Sequence, residues 1–178
     1  MKKLTIIIIA AFTLMGCTSK SKHPETEGTT SIVIVDEISP IKDFLNTKLK
    51  GKKVTDVEIV SRDSVLSFAP MTVMYTECAK NKAEGTFPGD ALAKLSDYFY
   101  HVTVVRTAMR LQSERTEDLT GQHQGDWRRL LNVKATLDDG SVMNDVEVIF
   151  DNDGVTPYMT GQDYDFEVSA WDLKINTL

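Results

Sequence analysis

The chain has few of the residues from which catalytic and metal sites are usually built. It contains two cysteines and three histidines among 178 residues, and no C-x-x-C or H-x-x-x-H spacing occurs. Neither a glycine-rich phosphate loop nor a G-x-S-x-G turn is present. These absences exclude those redox, zinc, nucleotide-binding and serine-hydrolase sites that are recognised by a sequence motif. We therefore expect no cofactor, no metal site and no catalytic residue.

The apolar run at the N terminus is too short to cross a bilayer. It extends from Leu4 to Leu14 and would rise about 16 Å as a helix, whereas a hydrocarbon core of about 30 Å needs about 20 residues. The run follows two lysines, and its last residue begins the sequence Leu14-Met15-Gly16-Cys17. A plain secretory signal would normally end in an A-x-A-like site instead.

Residues 1–17 resemble the signal peptide and lipobox of a bacterial lipoprotein. The resemblance implies cleavage before Cys17, attachment of diacylglycerol to its sulfur, and a membrane as partner. Two or three acyl chains would hold durably, since each buried methylene contributes about 0.8 kcal/mol. Thr18 lacks the acidic side chain that inner-membrane retention uses in some bacteria. The expected location is therefore the cell envelope, at the outer membrane on its periplasmic side.

The composition divides the chain into three parts. Residues 1–16 are the predicted signal peptide, and residues 17–30 the lipid anchor and a flexible tether without large apolar residues. Residues 31–178 are enough for one domain with its own core. Cys78 is then a lone thiol, and we expect it to be a small buried hydrophobe.

Positive charge is scarce in the mature chain. The formal net charge is −6, and loss of Lys2 and Lys3 with the leader takes it to −8. Such a surface repels polyphosphates, so nucleic acid is not an expected partner. The basic cluster from Lys48 to Lys53 is expected to end a helix, where cations offset the negative end of the dipole.

Three helices are predicted in the first part of the domain. The first has Ser39 as N-cap and Pro40 in its first position, and Gly51 ends it. A short second helix is expected within Ala69 to Asn81, and a third after Asp90 as cap. The apolar positions of the first and third helices are Ile41, Phe44, Leu45 and Leu49, and Leu92, Leu95, Phe99, Val102 and Met109.

The secondary structure of two segments is not decided by the sequence pattern. Ile32 to Val35 fits a short strand or an apolar entry segment. Tyr98 to Val105 is aromatic and β-branched, which favours a strand, but its apolar residues keep helical spacing. We favour the helix. His101 lies inside this segment, and a half-buried or core position is a simpler interpretation of it than a catalytic one.

Alternating patterns predict two hairpins and a last strand. The first hairpin has its turn at Arg62-Asp63, and the second, stronger one has its turn at Asp139-Gly140. The last strand extends from Tyr164 to Ile175, with a bulge near Ala170 that lets both parities face the core. The second hairpin predicts the pairs Leu131 with Val148, Val133 with Val146, Leu137 with Val142, and Lys134 with Asp145.

Helices first and an antiparallel meander at the end indicate an α+β domain with N-terminal helices packed on one face of the sheet. Small domains of this outline include cystatin-like and nuclear-transport-factor-like cones. That comparison concerns topology alone and implies no function.

Two polar or aromatic segments are candidate contact loops. Gly121 to Asp126 contains Gln122, His123 and Gln124, and Asp126 is close enough in sequence to orient His123. Val155 to Gln162 contains Tyr158 and Met159, which fit folding back on the core better than docking a partner. Between the hairpin and this segment, Asp151 to Gly154 fits a plain turn better than a calcium loop, because the terminal ligand positions lack carboxylates.

Two functions remain open after these observations. The favoured one is a non-catalytic, lipid-anchored module that binds an envelope protein or a small ligand, or serves an envelope complex as an accessory subunit. The alternative is an envelope hydrolase that uses His123 or His101 in an arrangement the sequence does not reveal.

Overall fold

A computed structural model of the chain describes residues 36–87, 89–111 and 122–178. Its four strands form one antiparallel sheet in meander order, and this confirms the predicted α+β class. The lipobox, Cys17, the tether and residues 32–35 lie outside the described residues. The elements are α1 Ile38–Lys48, β1 Val54–Leu66, α2 Ala69–Ala83, α3 Gly89–Arg110, β2 Trp127–Leu137, β3 Val142–Phe150, β4 Pro157–Thr160 and α4 Gly161–Asn176.

Apolar residues cover both faces of the described sheet. Neighbouring residues of a strand point to opposite faces, and Leu130 accordingly joins the core with α2, α3 and α4, whereas Leu131 joins the core with α1. On β3, Ile149 and Val148 divide in the same way, and all four side chains are at most 2 % exposed. The sheet is therefore the middle layer between α1 and the other three helices, so the N-terminal helices do not all pack on one face as predicted.

Helix α1 begins slightly earlier than predicted. The Asp36 carboxylate accepts hydrogen bonds from the amides of Ile38 and Ser39, at 3.0 and 3.1 Å. Asp36 therefore caps the free amides, in place of the predicted Ser39 hydroxyl, because an Asx side chain reaches amides two and three residues ahead. The helix ends before the predicted stop at Gly51, because its C-cap Leu49 already has an extended backbone. Gly51, with a φ of 78°, lies in the bend that follows.

Helices α2 and α3 confirm the helical predictions and extend them. Cys78 on α2 is 1 % exposed, as expected for a small hydrophobe, and burial raises the pKa of its thiol. Residues 98–105 are helical within α3. Asp90 lies in the first turn of α3 and not before it, because the helix already begins at Gly89. No helix of the described residues has the length and apolar character needed to cross a membrane.

The predicted first hairpin is wrong, because residues 54–66 form the single long strand β1. Ser61 to Ser64, interpreted as a turn, continue the pairing with β2 after a register shift at Ile59 and Ser61. β1 is an edge strand, so polar side chains can remain in solvent on either face there. Arg62, assigned to the turn, instead forms an ion pair with Glu37 at 2.7 Å.

The second hairpin has the predicted register away from its turn. Leu131 pairs with Val148, and Val133 pairs with Val146. Three of these side chains are fully buried, and Val146 is half-buried against the same core. The alternation of apolar residues therefore predicted correctly that these four side chains share one face of β2 and β3, and the structure adds that this face packs against α1.

Near the turn the register differs by one residue. Val142 pairs with Thr136 and not with Leu137, because the turn is longer than the two-residue loop predicted. A register shift between Val133 and Ala135 then restores the predicted pairing. On the β3 side this irregularity contains Asp145, whose φ is 55°. The predicted pair of Lys134 with Asp145 is consequently not formed.

The predicted last strand is wrong, because residues 161–176 form helix α4. The apolar side chains that α4 packs into the core include Tyr164, Val168, Trp171 and Ile175, at helical spacings of three and four. Phe166, which supported the alternating pattern, is 74 % exposed. The bulge that the strand required was a sign that its period was wrong.

Candidate functional site

A groove of about 440 Å³ lies where the end of α1, strand β3 and the start of α4 meet. The Asp145 bulge forms part of its wall, so the irregular backbone of β3 helps to shape the groove. Volumes of about 300 to 1,000 Å³ are typical of ligand sites. We call this feature the α1–β3 groove; its lining residues are Leu45, Lys48, Leu49, Arg106, residues 143–147, residues 160–163 and Asp165.

Arg106 supplies a fixed positive charge to this groove. Its side chain is only 6 % exposed and is held between the carboxylates of Glu147 and Asp165. Nε lies 2.7 Å from Asp165, and both terminal nitrogens bond Glu147. Burial alone would lower the pKa of Arg106, but the two carboxylates raise it above its usual value. Gly161 is needed beside this pair, because a Cβ there would collide with the Glu147 side chain.

The other charges of the groove give it an acidic balance. Its lining contains four carboxylates, those of Asp145, Glu147, Asp163 and Asp165, against the two cations Arg106 and Lys48. The Lys48 ammonium already lies 3.0 Å from Asp163. Both cations are therefore paired within the groove. Arg110, which is not part of the lining, also pairs with Asp165, so a surplus of one negative charge remains.

A second site forms where the two histidines of the described chain meet. His101 Nδ1 lies 2.7 Å from His123 Nε2, although they are 22 residues apart in sequence. His101 projects from α3, and His123 belongs to a turn in which the Asp126 amide donates to its carbonyl at 3.1 Å. The Asp126 carbonyl in turn accepts from the Ser67 amide at 2.7 Å. These backbone bonds position His123 against α3.

Carboxylates lie beyond both imidazoles. Asp97 Oδ2 is 3.9 Å from His101 Nδ1, and Asp126 Oδ2 is 3.5 Å from His123 Nδ1. The two histidine side chains are 13 % and 14 % exposed. The Tyr98 ring packs edge-on against His123 at 4.8 Å between centroids. The expectation that Asp126 lies near enough to orient His123 agrees with this geometry.

One potential ligand atom from each of Asp97, His101 and His123 lies within 4.8 Å of the others. We call these three residues the histidine cluster. Sequence motifs do not reveal this cluster, because metal motifs place their ligands close together in sequence and His123 follows His101 only after 22 residues. The one local signal was Asp97 and His101, which share a helix face at a spacing of four.

The remaining predicted contact residues have different surroundings. Gln122 and Gln124 are exposed beside His123. Tyr158 and Met159 do not lie in a loop as predicted, because Pro157–Thr160 pairs with β3 as strand β4. Met159 packs against the core, whereas Tyr158 is 38 % exposed.

The segment before β4 is the predicted turn. The Gly154 amide donates to the Asp151 carbonyl at 2.9 Å. The Asp153 carboxylate accepts from the amides of Val155 and Thr156, at 2.9 and 2.8 Å. The Asp153 carboxylate therefore stabilises the turn through these hydrogen bonds.

Comparisons of the chain with protein-family models, curated proteins and solved structures find no match.

Proposed function

We propose that the protein is a lipid-anchored binding module of a bacterial cell envelope, which receives a partner in the α1–β3 groove. The groove carries the proposal, because it combines a suitable volume with charges that the fold already holds in place. Fixed polar groups reduce the ordering cost of binding. Cys17, by its lipobox-like context, would supply the anchor.

The lining favours a partner segment that presents lysine or arginine side chains. The four carboxylates exceed the two cations, which are themselves engaged by carboxylates. Leu45, Leu49 and Met143 add apolar surface for the aliphatic part of such side chains. Complementary charge would set the orientation and the association rate of this partner.

The tether would keep the groove near its membrane. If the twelve residues Ser19 to Thr30 form the tether that their composition predicts, its root-mean-square reach would be on the order of 20 Å. We propose the periplasmic side of the outer membrane as the location, on the basis of Thr18 after the anchor residue. The partner would then be another component of the envelope.

The anchor is tested by replacing its thiol. We expect Cys17→Ala to abolish incorporation of a labelled fatty acid and to release the protein from the membrane fraction. Cys78→Ala is the matched control, because it removes the other cysteine of the chain and leaves Cys17 in place. Equal labelling of wild type and Cys17→Ala would overturn the lipid anchor.

The groove is tested with a photo-crosslinking residue at Asn144, inserted into the full chain in its native envelope. We expect a discrete crosslinked product that weakens in Asp145→Asn, because that change removes one groove carboxylate and asparagine tolerates the positive φ. The same probe at exposed Glu77 on α2 is the control. Identical products from both positions would contradict a binding role of the groove.

The hydrolase alternative derives some support from the contact of His101 with His123 and from the carboxylate beyond each ring. In the described part of the chain, these rings contact each other, two carboxylates and the rings of Tyr98 and Tyr100. A general base must lie within hydrogen-bond reach of its nucleophile, and these contacts of the two rings do not include a serine, threonine or cysteine side chain. Turnover of ester, peptide or glycoside substrates that His123→Ala abolishes would favour this alternative over binding.

A further inference from the structure

The histidine cluster has the composition of a metal site. It joins two imidazole nitrogens and one carboxylate, and both imidazoles are largely buried. We propose that His101 Nδ1, His123 Nε2 and the Asp97 carboxylate bind one divalent transition-metal ion of the Zn²⁺ class. This site lies on a different set of residues from the α1–β3 groove, and its existence does not depend on the partner proposed there.

The spacing of the ligand atoms suits such an ion after small adjustments. Zinc–nitrogen bonds of about 2.0 to 2.1 Å in a tetrahedron place two ligand atoms roughly 3.3 Å apart. The observed separations are 2.7 Å between the two histidine nitrogens and 3.9 Å from Asp97 to His101. At 2.7 Å the two histidine nitrogens share one proton in a hydrogen bond, and the ion must displace this proton when it binds. The nitrogens must also separate slightly, and the carboxylate must approach. Rotation of exposed Asp97 supplies the second movement.

Asp126 lies on the side of His123 where ligating histidines usually have a carboxylate partner, at a distance slightly longer than a hydrogen bond. It lies 3.5 Å from His123 Nδ1, on the side of the ring opposite the proposed ligand atom Nε2. A carboxylate there favours a proton on Nδ1 and leaves Nε2 free to bind the ion. Asp126 is itself fixed through its backbone bond to Ser67. The ring of Tyr98, packed against His123, further limits its rotation.

The ligand types select among metal ions. Ca²⁺ and Mg²⁺ prefer sites built from oxygen ligands, whereas imidazole suits zinc and its neighbours in the first transition series. Three protein ligands leave a fourth position for water or for a donor from another molecule. The Asp97 side chain is 64 % exposed, which gives the ion access from solvent. A bound ion would connect α3 to the turn at His123.

The primary test is equilibrium dialysis of the full chain in detergent against Zn²⁺, after chelator has stripped it of metal. We expect one ion per chain and a higher unfolding midpoint, because an ion that binds the folded state stabilises it. His101→Gln and His123→Gln should each weaken binding by at least about tenfold. His23→Gln should bind as wild type does, which controls for the general effect of removing a histidine.

Two further variants keep the test decisive if a histidine variant fails to fold. Asp97→Asn alters an exposed side chain, and Asp126→Asn alters the supporting carboxylate without removing a ligand. We expect weaker binding in both, by about 10- to 100-fold for Asp126→Asn. Co²⁺ in place of Zn²⁺ should give a visible spectrum that changes in Asp97→Asn. Wild type that binds no Zn²⁺ at micromolar concentration, or binding that Asp97→Asn leaves unchanged, would overturn the proposal.

Discussion

At the scale of single residues, Arg106 is the most deeply buried charged residue of the described chain. A guanidinium that is 6 % exposed is costly to bury unless carboxylates surround it. Glu147 and Asp165 fill that need from positions 41 and 59 residues further along the sequence. The sequence shows an arginine after a β-branched run and gives no sign of these partners. Charge pairs across such separations depend on tertiary structure.

Removal of Arg106 should destabilise the protein more than removal of its neighbour Arg110. Arg106→Met removes the cation that pairs with Glu147 and leaves Asp165 with only the exposed Arg110, and we expect a loss of about 3 to 5 kcal/mol. Arg110→Met is the matched control, because Arg110 also pairs with Asp165 but is 56 % exposed, and we expect a change of about 0 to 1 kcal/mol. Urea unfolding measures both. Equal losses would show that the buried pair contributes no more than a surface pair.

At the scale of elements, local patterns predicted those parts of the fold in which the spacing of apolar residues clearly favours either a helix or a strand. The β2–β3 hairpin has strict alternation, and α3 has helical spacing over most of its length. The prediction was wrong for α4, whose apolar residues fit both a helical and a strand period. It was also wrong for β1, where a polar segment was interpreted as a turn. A local pattern does not reveal that β1 is an edge strand, because that depends on the position of β2.

The register of the central hairpin can be tested with one substitution on each face. We expect Val148→Ala to cost about 1 to 3 kcal/mol, because Val148 is fully buried against α1. Lys134 on β2 is half exposed and lies 3.6 Å from Glu58. Lys134→Ala should change stability by less than about 0.5 to 1 kcal/mol. Comparable losses in chemical unfolding would contradict the assigned faces.

Helix α4 should depend on its first turn. The Thr160 hydroxyl accepts from the Asp163 amide, and the Asp163 carboxylate accepts from the Thr160 amide, which forms a capping box. We expect Thr160→Ala to cost about 0.5 to 2 kcal/mol. Ser169→Ala, in the middle of the same helix, is the control and should be neutral or slightly stabilising. Thermal unfolding by circular dichroism compares them, and an unaffected Thr160→Ala would show that packing alone holds the helix.

At the scale of the whole molecule, both candidate sites combine elements that are distant in sequence. The α1–β3 groove uses parts of α1, α3, β3 and α4, and the histidine cluster joins α3 to the turn before β2. Composition and motifs did not reveal either site for this reason. His123 was identified in advance as a contact residue, but its partner His101 was assigned a structural role. The sequence predicted α1, α3 and the central hairpin, but it predicted a strand where α4 forms part of the groove.

Carboxylates also connect distant parts of the fold, and their ionisation should make stability depend on acid. The hydrogen bond from Arg62, assisted by Arg129, lowers the pKa of Glu37. The pKa of Asp163 is lowered chiefly by the Thr160 amide. Burial would raise the pKa of Asp165, but hydrogen bonds from two arginines outweigh it and lower that pKa.

Because these folded-state pKa values lie below the unfolded values of about 4, their contribution to stability is present above pH 5 and is lost as the pH falls through the folded values. We therefore expect the unfolding midpoint to fall between pH 5 and about pH 3. Glu37→Gln should have a lower midpoint at pH 7 and a smaller fall on acidification, since its ion pairs with Arg62 and Arg129 are already absent. Exposed Glu77→Gln should follow wild type in both respects. A fall of the same size in Glu37→Gln would assign the acid sensitivity to other groups.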